Sequence, residues 1–312
     1  MSSDLDNEDS LRRFVFERYP FRGQLVHLRA AWRAMMEHHD YPARVRDSLG
    51  EAVAAAVLLS ATLKYQGLLS LQLRGDGPMH LMLVECSDGL AVRAVARFRD
   101  PPDTRDLRVL SGGGTLTVTL ENDDAANRYQ GIVPLAGERM SDCLREYFET
   151  SEQLPTRLWL RADGEGASGL LLQRLPVTSR PRAVSESGRG ALPEDEVEDA
   201  WRRVQLVAAT VTDQELAALA DRDLLRRLFA EDDVRMFESA PVFFRCRCSR
   251  ERVTTMLKAL GQAEITGVLA ERGLVDVRCE FCSRAYQFDA VDVEALFLTG
   301  TVQAAPRGGP AH

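Results

Sequence analysis

The sequence lacks the features of several large protein classes. None of its apolar runs approaches the roughly 20 residues that a membrane-spanning helix requires. It has no excess of positive charge: 39 Lys and Arg face 47 Asp and Glu, and the formal net charge of -8 argues against a general nucleic-acid binder. The first residues, MSSDLDNEDSLRRF, are acidic and polar rather than a secretory signal. We therefore expect a cytoplasmic protein whose thiols are kept reduced.

The signature motifs of common enzyme sites are also missing. No Gly-x-Ser-x-Gly nucleophile elbow occurs, and the carboxylates show no spacing that demands acid–base catalysis. Three consecutive glycines at 112–114 precede a predicted strand rather than a helix, and no Gly-Lys-Ser/Thr follows them. This pattern predicts a turn and not a phosphate-binding loop. We predict no catalytic residues and a protein that is not an enzyme.

Cysteine is scarce, with six residues in 312, but four of the six form two close pairs in the last quarter of the chain. One residue separates Cys246 from Cys248, and two separate Cys279 from Cys282. Four thiolates in a tetrahedron favour zinc, although copper(I) or an iron–sulfur cluster would also accept sulfur ligands. A closed four-cysteine shell leaves no position for water, so the predicted ion is structural. The other cysteines, 86 and 143, are interpreted as core thiols.

The hydrophobic periodicity predicts an α+β domain at 11–178, with a mixed or antiparallel sheet and packed helices. Apolar residues at helical spacing predict helices at 24–38, 45–63 and 137–150, and the second is apolar nearly all round, which is typical of a buried helix. The motif GDGP at 75–78 predicts a hairpin turn. Alternating or short apolar segments predict strands at 13–17, 68–74, 79–85, 91–98, 115–120, 130–134, 156–161 and 169–175.

A helical linker at 179–240 and a small metal-binding domain at 241–298 are predicted to follow. Residues 179–193 are rich in Ser, Pro and Gly, helices are predicted at 194–210 and 212–229, and a capping box joins Thr212 to Glu215. Such short, highly charged helices are marginal alone, so we expect the linker to be metastable. The last domain is predicted to contain strands at 274–278 and 285–288 and a helix at 289–298 capped by Asp289. Disorder is predicted at 1–10 and 299–312.

Several motifs resemble the 33 kDa heat-shock chaperonin family. The two cysteine motifs read FRCRCSRERV at 244–253 and CEFCSRAYQF at 279–288. They are accompanied by YQGIVPL at 129–135 and SEQLPT at 151–156, and the resemblance extends from about residue 11 to residue 298. The acidic first residues, the SGGGT turn, the linker and the tail depart from the family pattern.

The resemblance implies a redox-regulated holdase chaperone of the stress response. Its reduced form would hold one zinc ion on Cys246, Cys248, Cys279 and Cys282 and would be inactive. Oxidation would join Cys246 to Cys248 and Cys279 to Cys282, release zinc, unfold the linker and give an active homodimer. The implied partners are unfolding client proteins and ATP-dependent foldases that receive them, with no nucleic acid or membrane.

Other interpretations of the cysteine segment stay open. Six arginines flank the sulfurs and either favour the oxidant-sensitive thiolates or form a solvated surface: Arg245, Arg247, Arg250, Arg252, Arg278 and Arg284. A zinc-ribbon nucleic-acid-binding protein would fit these arginines but not the net charge. A dithiol oxidoreductase would use Cys279 and Cys282, but that pair lies between strands rather than at the start of a helix. A constitutive chaperone with a purely structural zinc is the third alternative.

Overall fold

The computed structural model describes residues 9–63, 65–122, 128–176 and 192–298. These ranges leave out most of residues 1–10, most of residues 179–193 at the start of the predicted linker, and all of residues 299–312. The predictions of disorder at 299–312 and for most of 1–10 therefore fall outside the described residues. The chain separates into two compact units, one ending at Arg245 and the other beginning at Cys246. No helix among the described residues is long and apolar enough to span a bilayer.

The first unit contains a five-stranded antiparallel sheet with strand order β10-β1-β2-β9-β8. It brings the first strands of the chain beside strands that lie more than 130 residues later in sequence. Every neighbouring pair in it is antiparallel. The bounds are β1 Ser10–Phe16, β2 Phe21–Leu28, β8 Thr156–Ala162, β9 Ala167–Arg174 and β10 Val234–Pro241.

A six-stranded sheet in the same unit has the order β11-β5-β4-β3-β6-β7. Its strands pair antiparallel, except that β11 runs parallel to β5. The predicted hairpin is confirmed, because β3 and β4 flank the GDGP turn and pair directly. The bounds are β3 Gly67–Arg74, β4 Met79–Ser87, β5 Ala91–Phe98, β6 Thr115–Asn122, β7 Arg128–Pro134 and β11 Phe243–Phe244.

A central helix, α2 (Ala43–Thr62), packs against strands of both sheets. Its residues are buried on every side, which confirms the prediction from its apolar composition. Many are alanines, so the sheets can approach the helix closely. Three shorter helices complete this part of the unit: α1 Ala30–Met36, α3 Leu107–Ser111 and α4 Met140–Tyr147, the last followed by a π-helical turn at Phe148–Glu152.

The predicted helix at 24–38 is wrong in its first half. Residues up to Leu28 belong to β2, and only Ala30–Met36 is helical. The strand lies between β1 and β9, and both of its faces are covered: Leu25 belongs to one hydrophobic cluster and Val26 to another. A strand buried on both faces loses its polar alternation, so its apolar residues also satisfied the helical spacing.

Three helices lie on the outer face of the five-stranded sheet: α5 Glu194–Ala208, α6 Asp213–Ala218 and α7 Asp221–Leu228. We call them the helical cover, and the sheet face beneath them the covered face. The predicted capping box is confirmed, since Thr212 Oγ1 accepts from Glu215 N at 3.2 Å. However, the predicted helix at 212–229 is interrupted, because Leu219 and Ala220 are extended and separate α6 from α7.

The second unit is small. It contains a two-stranded hairpin of β12 (Val275–Arg278) and β13 (Ala285–Phe288) and three helices: α8 Arg250–Leu260, α9 Gln262–Arg272 and α10 Ala290–Leu298. Both strands and the last helix were predicted, and Asp289 caps α10 by accepting from Asp292 N at 2.8 Å. Its buried cluster consists of Leu257, Ile265, Val275, Tyr286, Phe288 and Val293.

Candidate metal centre

The second unit brings the four paired cysteines together. Cys246 and Cys248 lie on the extended segment before α8, and Cys279 and Cys282 lie in the turn between β12 and β13. All four sulfur atoms lie within 4.8 Å of one another. The two short distances cross between the segments, with Cys246 Sγ 3.5 Å from Cys279 Sγ and Cys248 Sγ 3.4 Å from Cys282 Sγ.

Local backbone structure holds each pair in place. The turn is closed by Cys279 N, which donates to Arg284 O at 3.0 Å, and by Ser283 N, which donates to Cys279 O at 2.7 Å. Ser283 adopts a left-handed φ of 54°, which reverses the chain directly after Cys282. On the other segment, Ser249 caps α8 by accepting from Arg252 N at 3.2 Å. The extended residues before this cap present both sulfurs to the turn.

The sulfur positions fit a tetrahedral thiolate site. Zn–S bonds of about 2.3 Å in a tetrahedron place neighbouring sulfurs about 3.8 Å apart, close to the two distances between the segments. A disulfide would need about 2.05 Å, and no disulfide joins any of the six cysteines in the structure. The four cysteines can therefore hold one metal ion. Cys86 in β4 and Cys143 in α4 are buried in the core of the first unit, as predicted.

The electrostatics of the cluster also favour a cation. Burial disfavours ionisation of Cys248, but hydrogen bonds from Tyr286 and the other thiols outweigh it and lower the pKa of Cys248 to about 7. Burial raises the pKa of Cys279 and of Cys282, and the neighbouring sulfurs raise both further. Four adjacent thiolates repel one another, so all four ionise together only when a cation lies among them.

One side chain that contacts the sulfurs, Tyr286, was not predicted as a site residue. Tyr286 donates its phenol proton to Cys248 Sγ at 3.1 Å, a contact that the hairpin register creates. Arg250, one of the six flanking arginines, turns away from the sulfurs: it lies 4.2 Å over the Phe288 ring and donates to Gln287 O and Asp292 Oδ2. It therefore holds α8 against β13 and α10.

The remaining arginines differ in their surroundings. A hydrogen bond with Tyr286 and the charges of Cys248 and Cys282 raise the pKa of Arg284, so this guanidinium acts on the cluster. Arg252 donates to Arg247 O at 3.0 Å, and Arg278 lies 3.7 Å from Asp276. Arg245 belongs to the first unit. The flanking arginines are thus not one uniform cationic shell.

Fold and site together define a class: an α+β protein whose large first unit precedes a small unit with a cluster of four cysteines that could hold a metal ion. The family model described as Hsp33 protein matches residues 9–289 of this chain. The chain belongs to the Hsp33 family.

Individual relatives agree with this assignment. The chain is 44% identical over 293 residues to the 33 kDa chaperonin of Nitrosococcus oceani and 42% identical over 295 residues to that of Methylobacillus flagellatus. Each alignment covers 94% of this chain and 96% of the relative. The crystal structure of the 33 kDa chaperonin from Thermotoga maritima has the same fold, with a TM-score of 0.77 at 20% identity, over 94% of this chain and 99% of that one.

Proposed function

We propose that this Hsp33-family chaperone is a redox-regulated holdase of the cytoplasm. In the reduced form, Cys246, Cys248, Cys279 and Cys282 hold one zinc ion and the protein is inactive. Oxidation joins Cys246 to Cys248 and Cys279 to Cys282, which consumes all four sulfur ligands. The linker at 179–240 then unfolds, and the chain binds unfolding proteins as a homodimer before ATP-dependent foldases receive them.

The sulfur cluster carries this proposal. Its four thiols lie within 4.8 Å of one another, so any pair can be joined after a small movement. The resemblance to the family implies the Cys246–Cys248 and Cys279–Cys282 pairing, which joins cysteines that are close in sequence. Formation of each disulfide takes two electrons and two protons from a pair of thiols, and an oxidant such as hypochlorous acid accepts the electrons and becomes chloride and water.

The small core of the second unit explains why oxidation would unfold it. Zinc contributes about 10–16 kcal/mol of apparent binding free energy in small zinc peptides, and in such units this is folding free energy. The six buried residues of the second unit form a small core, and a unit of this size has little net stability of its own. The two disulfides close very short loops, and stabilisation by a disulfide grows with the length of the loop it closes.

Unfolding of the second unit would reach the first unit along the chain that joins them. Strand β11 ends at Phe244, two residues before Cys246, and it is held by a pairing of only two residues with β5. Strand β10, directly before it, is an edge strand that follows the helical cover in sequence. Unfolding from Cys246 would therefore reach the weakly held β11 first and the edge strand β10 next.

The covered face is the surface that we propose for client binding. It is formed by aromatic and aliphatic side chains of β1, β2 and β9: Phe14, Phe16, Phe21, Leu25, Leu170 and Leu172. Trp201 of α5 packs on Phe21 with 5.1 Å between ring centroids. Apolar side chains that lose their cover would bind similar surface on an unfolding protein, because burial of that surface is favourable.

A combined oxidation experiment tests the proposal. Zinc release to a coloured chelator and suppression of aggregation are followed together after hypochlorite is added to the reduced, zinc-loaded protein. We expect both to rise in parallel and to reverse with dithiothreitol and zinc. Cys143→Ala, which removes a core thiol, should behave like the parent. Equal suppression of aggregation before and after oxidation would overturn the switch.

A further inference from the structure

A charged cluster is buried where the helical cover meets the five-stranded sheet. Asp221, the first residue of α7, accepts a hydrogen bond from Arg12 Nε of β1 at 2.6 Å through Oδ2. Its other oxygen, Oδ1, lies 3.1 Å from His27 Nε2 of β2. The Asp221 side chain is 1% exposed and that of His27 is 2% exposed. The cluster therefore joins the cover to two strands beneath it, with Asp221 and His27 buried and the Arg12 side chain 14% exposed.

We propose that Arg12 and Asp221 are a positioning pair that keeps the helical cover closed over the covered face in the reduced protein. The pair acts through the three helices and touches no client itself. The inference rests on the proposed function in one respect only, which is that the covered face binds clients. The closing role of the pair can be measured without any client.

The strand alternation places this pair on the covered face. Residues 12, 14 and 16 of β1 point to one side, and Phe14 and Phe16 belong to the cluster under the cover. In β2, His27 shares its side with Leu25 and Phe21 in the same way. The covered face is thus apolar along most of its length and polar at one end, where Asp221 meets it.

Arg12 contacts the segment after the cover as well. Pairing of β1 with β10 shifts register here: Arg12 is opposite Ser239, but Phe14 is opposite Met236, so two residues of β10 face Arg13. This bulge lies beside the carbonyl of Phe237, and Arg12 Nη1 donates to that oxygen at 3.2 Å. One guanidinium therefore fixes both α7 and the strand that leads towards the second unit.

Burial distinguishes this pair from other ion pairs of the cover. Arg18 pairs with Glu196 of α5, and Arg174 pairs with Glu194, but at least one partner of each lies well exposed. Exposed pairs contribute little because water and salt screen them. A carboxylate as buried as that of Asp221 has no such screening, so loss of its partner leaves an uncompensated charge. The cover can relieve that cost by lifting into water.

The physics also predicts which double substitution restores closure. Apolar replacement of both partners of a buried ion pair is commonly tolerated, whereas removal of one partner is strongly destabilising. Arg12→Met alone should therefore open the cover, and Arg12→Met with Asp221→Leu should close it again. If each substitution only removed packing, the two losses of stability of the cover would add in the double variant instead of being reversed.

Hydrogen exchange on the reduced, zinc-loaded full chain is the test. In Arg12→Met we expect protection of amides in α5 and α7 to fall by about 100-fold, with the amides of α2 unchanged, and we expect the double variant to recover most of the protection. The control Arg18→Met, which breaks the exposed pair with Glu196, should match the parent. Unchanged protection in α5 and α7, an equal loss in α2, or no recovery in the double variant would overturn the positioning role.

A second measurement separates this inference from the proposed function. The same reduced variants are assayed for suppression of aggregation of thermally unfolding citrate synthase, and Arg12→Met should suppress it more than the parent and the double variant do. If α5 and α7 lose protection in Arg12→Met without any gain in suppression, the positioning pair stands and the client-binding role of the covered face fails. If oxidation of the parent leaves α5 and α7 protected, the switch fails, and the exchange result for Arg12→Met still decides the role of the pair.

Discussion

At the scale of single residues, the sequence identifies the four cysteines that the fold brings together, but not the groups that contact them. The four thiols stand out because their spacing alone predicts a shared ion. Tyr286 lies in a motif that the sequence makes conspicuous, yet its contact with Cys248 depends on the register of β12 and β13. Asp221 and Arg12 lie 209 residues apart in sequence. No local pattern indicates such a pair, because only the assembled sheet brings them together.

Removal of the phenol of Tyr286 should weaken metal binding. Groups that hydrogen-bond to metal ligands typically change metal affinity by 10–100-fold when they are mutated. We expect Tyr286→Phe to lose zinc to a competing chelator at a concentration lower by about that factor, while the aromatic ring keeps its place in the small core. Competition titrations under reducing conditions measure the effect. Tyr19→Phe in the first unit is the control, and equal retention of zinc by all three proteins would contradict the role of the phenol.

Glu51 should make the stability of the first unit depend on pH. Burial raises the pKa of this α2 carboxyl from 4.5 to about 7, although the charge of Arg139, whose Nη2 lies 2.5 Å away, opposes the rise. Between these pH values the folded protein holds a proton that the unfolded chain has lost. Stability should therefore fall as pH rises from about 4.5 to about 7, by roughly 3 kcal/mol, and then level off.

The contribution of Glu51 is measured against Glu51→Gln, which resembles the protonated carboxyl at every pH. Urea unfolding is followed by tryptophan fluorescence at a series of pH values between about 5 and about 8. We expect the variant to be more stable than the parent at the upper end and to match it at the lower end. A difference between the two proteins that does not change with pH would rule out titration of Glu51 in this range.

At the scale of elements, prediction succeeded where one periodicity dominates. The buried helix α2 and the hairpin of β3 and β4 follow directly from composition and turn chemistry. Strand β2 was misassigned because burial on both faces removes the polar alternation that identifies a strand. Strand β10 was not predicted: its sequence, VRMFESAP, is mostly exposed or half-buried, and it becomes a strand by pairing with β1 at the sheet edge.

Gly50 allows α2 to approach its neighbours, and a methyl group there should destabilise the first unit. A Cβ at this position would lie 2.4 Å from the Cβ of Ala162 and 3.1 Å from the Trp32 ring. Alanine is favoured over glycine inside a helix by about 1 kcal/mol, but overpacking of a core costs about 1–3 kcal/mol. Since both Cβ atoms are fixed by backbone, we expect Gly50→Ala to lower the free energy of unfolding.

Two further variants test the cause of that loss. Ala162→Gly removes the opposing methyl group, so we expect the double variant with Gly50→Ala to recover stability relative to Gly50→Ala alone. Gly267→Ala in α9 is the matched control, because a Cβ there meets no atom within 4 Å. That substitution should stabilise the second unit by up to about 1 kcal/mol. Chemical denaturation measures the free energy of unfolding of all three variants. If Gly50→Ala proved stabilising, the helix would have shifted to make room for the methyl group.

At the scale of the whole molecule, the two units differ in what stabilises them. The first unit has two sheets around a buried helix, and the helical cover adds a further layer on the outer face of the five-stranded sheet. The second unit has a cluster of six buried residues and four thiols. The sequence predicts this contrast through its cysteine pairs, but not which strands and helices complete the first unit. That part depends on pairing between chain segments more than 200 residues apart.

Metal removal without oxidation should therefore unfold the second unit. A chelator with excess dithiothreitol takes the ion but leaves the thiols reduced, and we expect loss of far-ultraviolet ellipticity from α8, α9 and α10. All three tryptophans, at positions 32, 159 and 201, lie in the first unit, so their emission reports on that unit and not on the second. The emission of Trp32 is obtained as the difference between the parent and a Trp32→Phe variant. This emission should remain that of a buried indole. Added zinc should restore the ellipticity. If the ellipticity of the metal-free, reduced protein equals that of the zinc-loaded protein, the second unit is stabilised by its own packing, and oxidation must act on the first unit by another route.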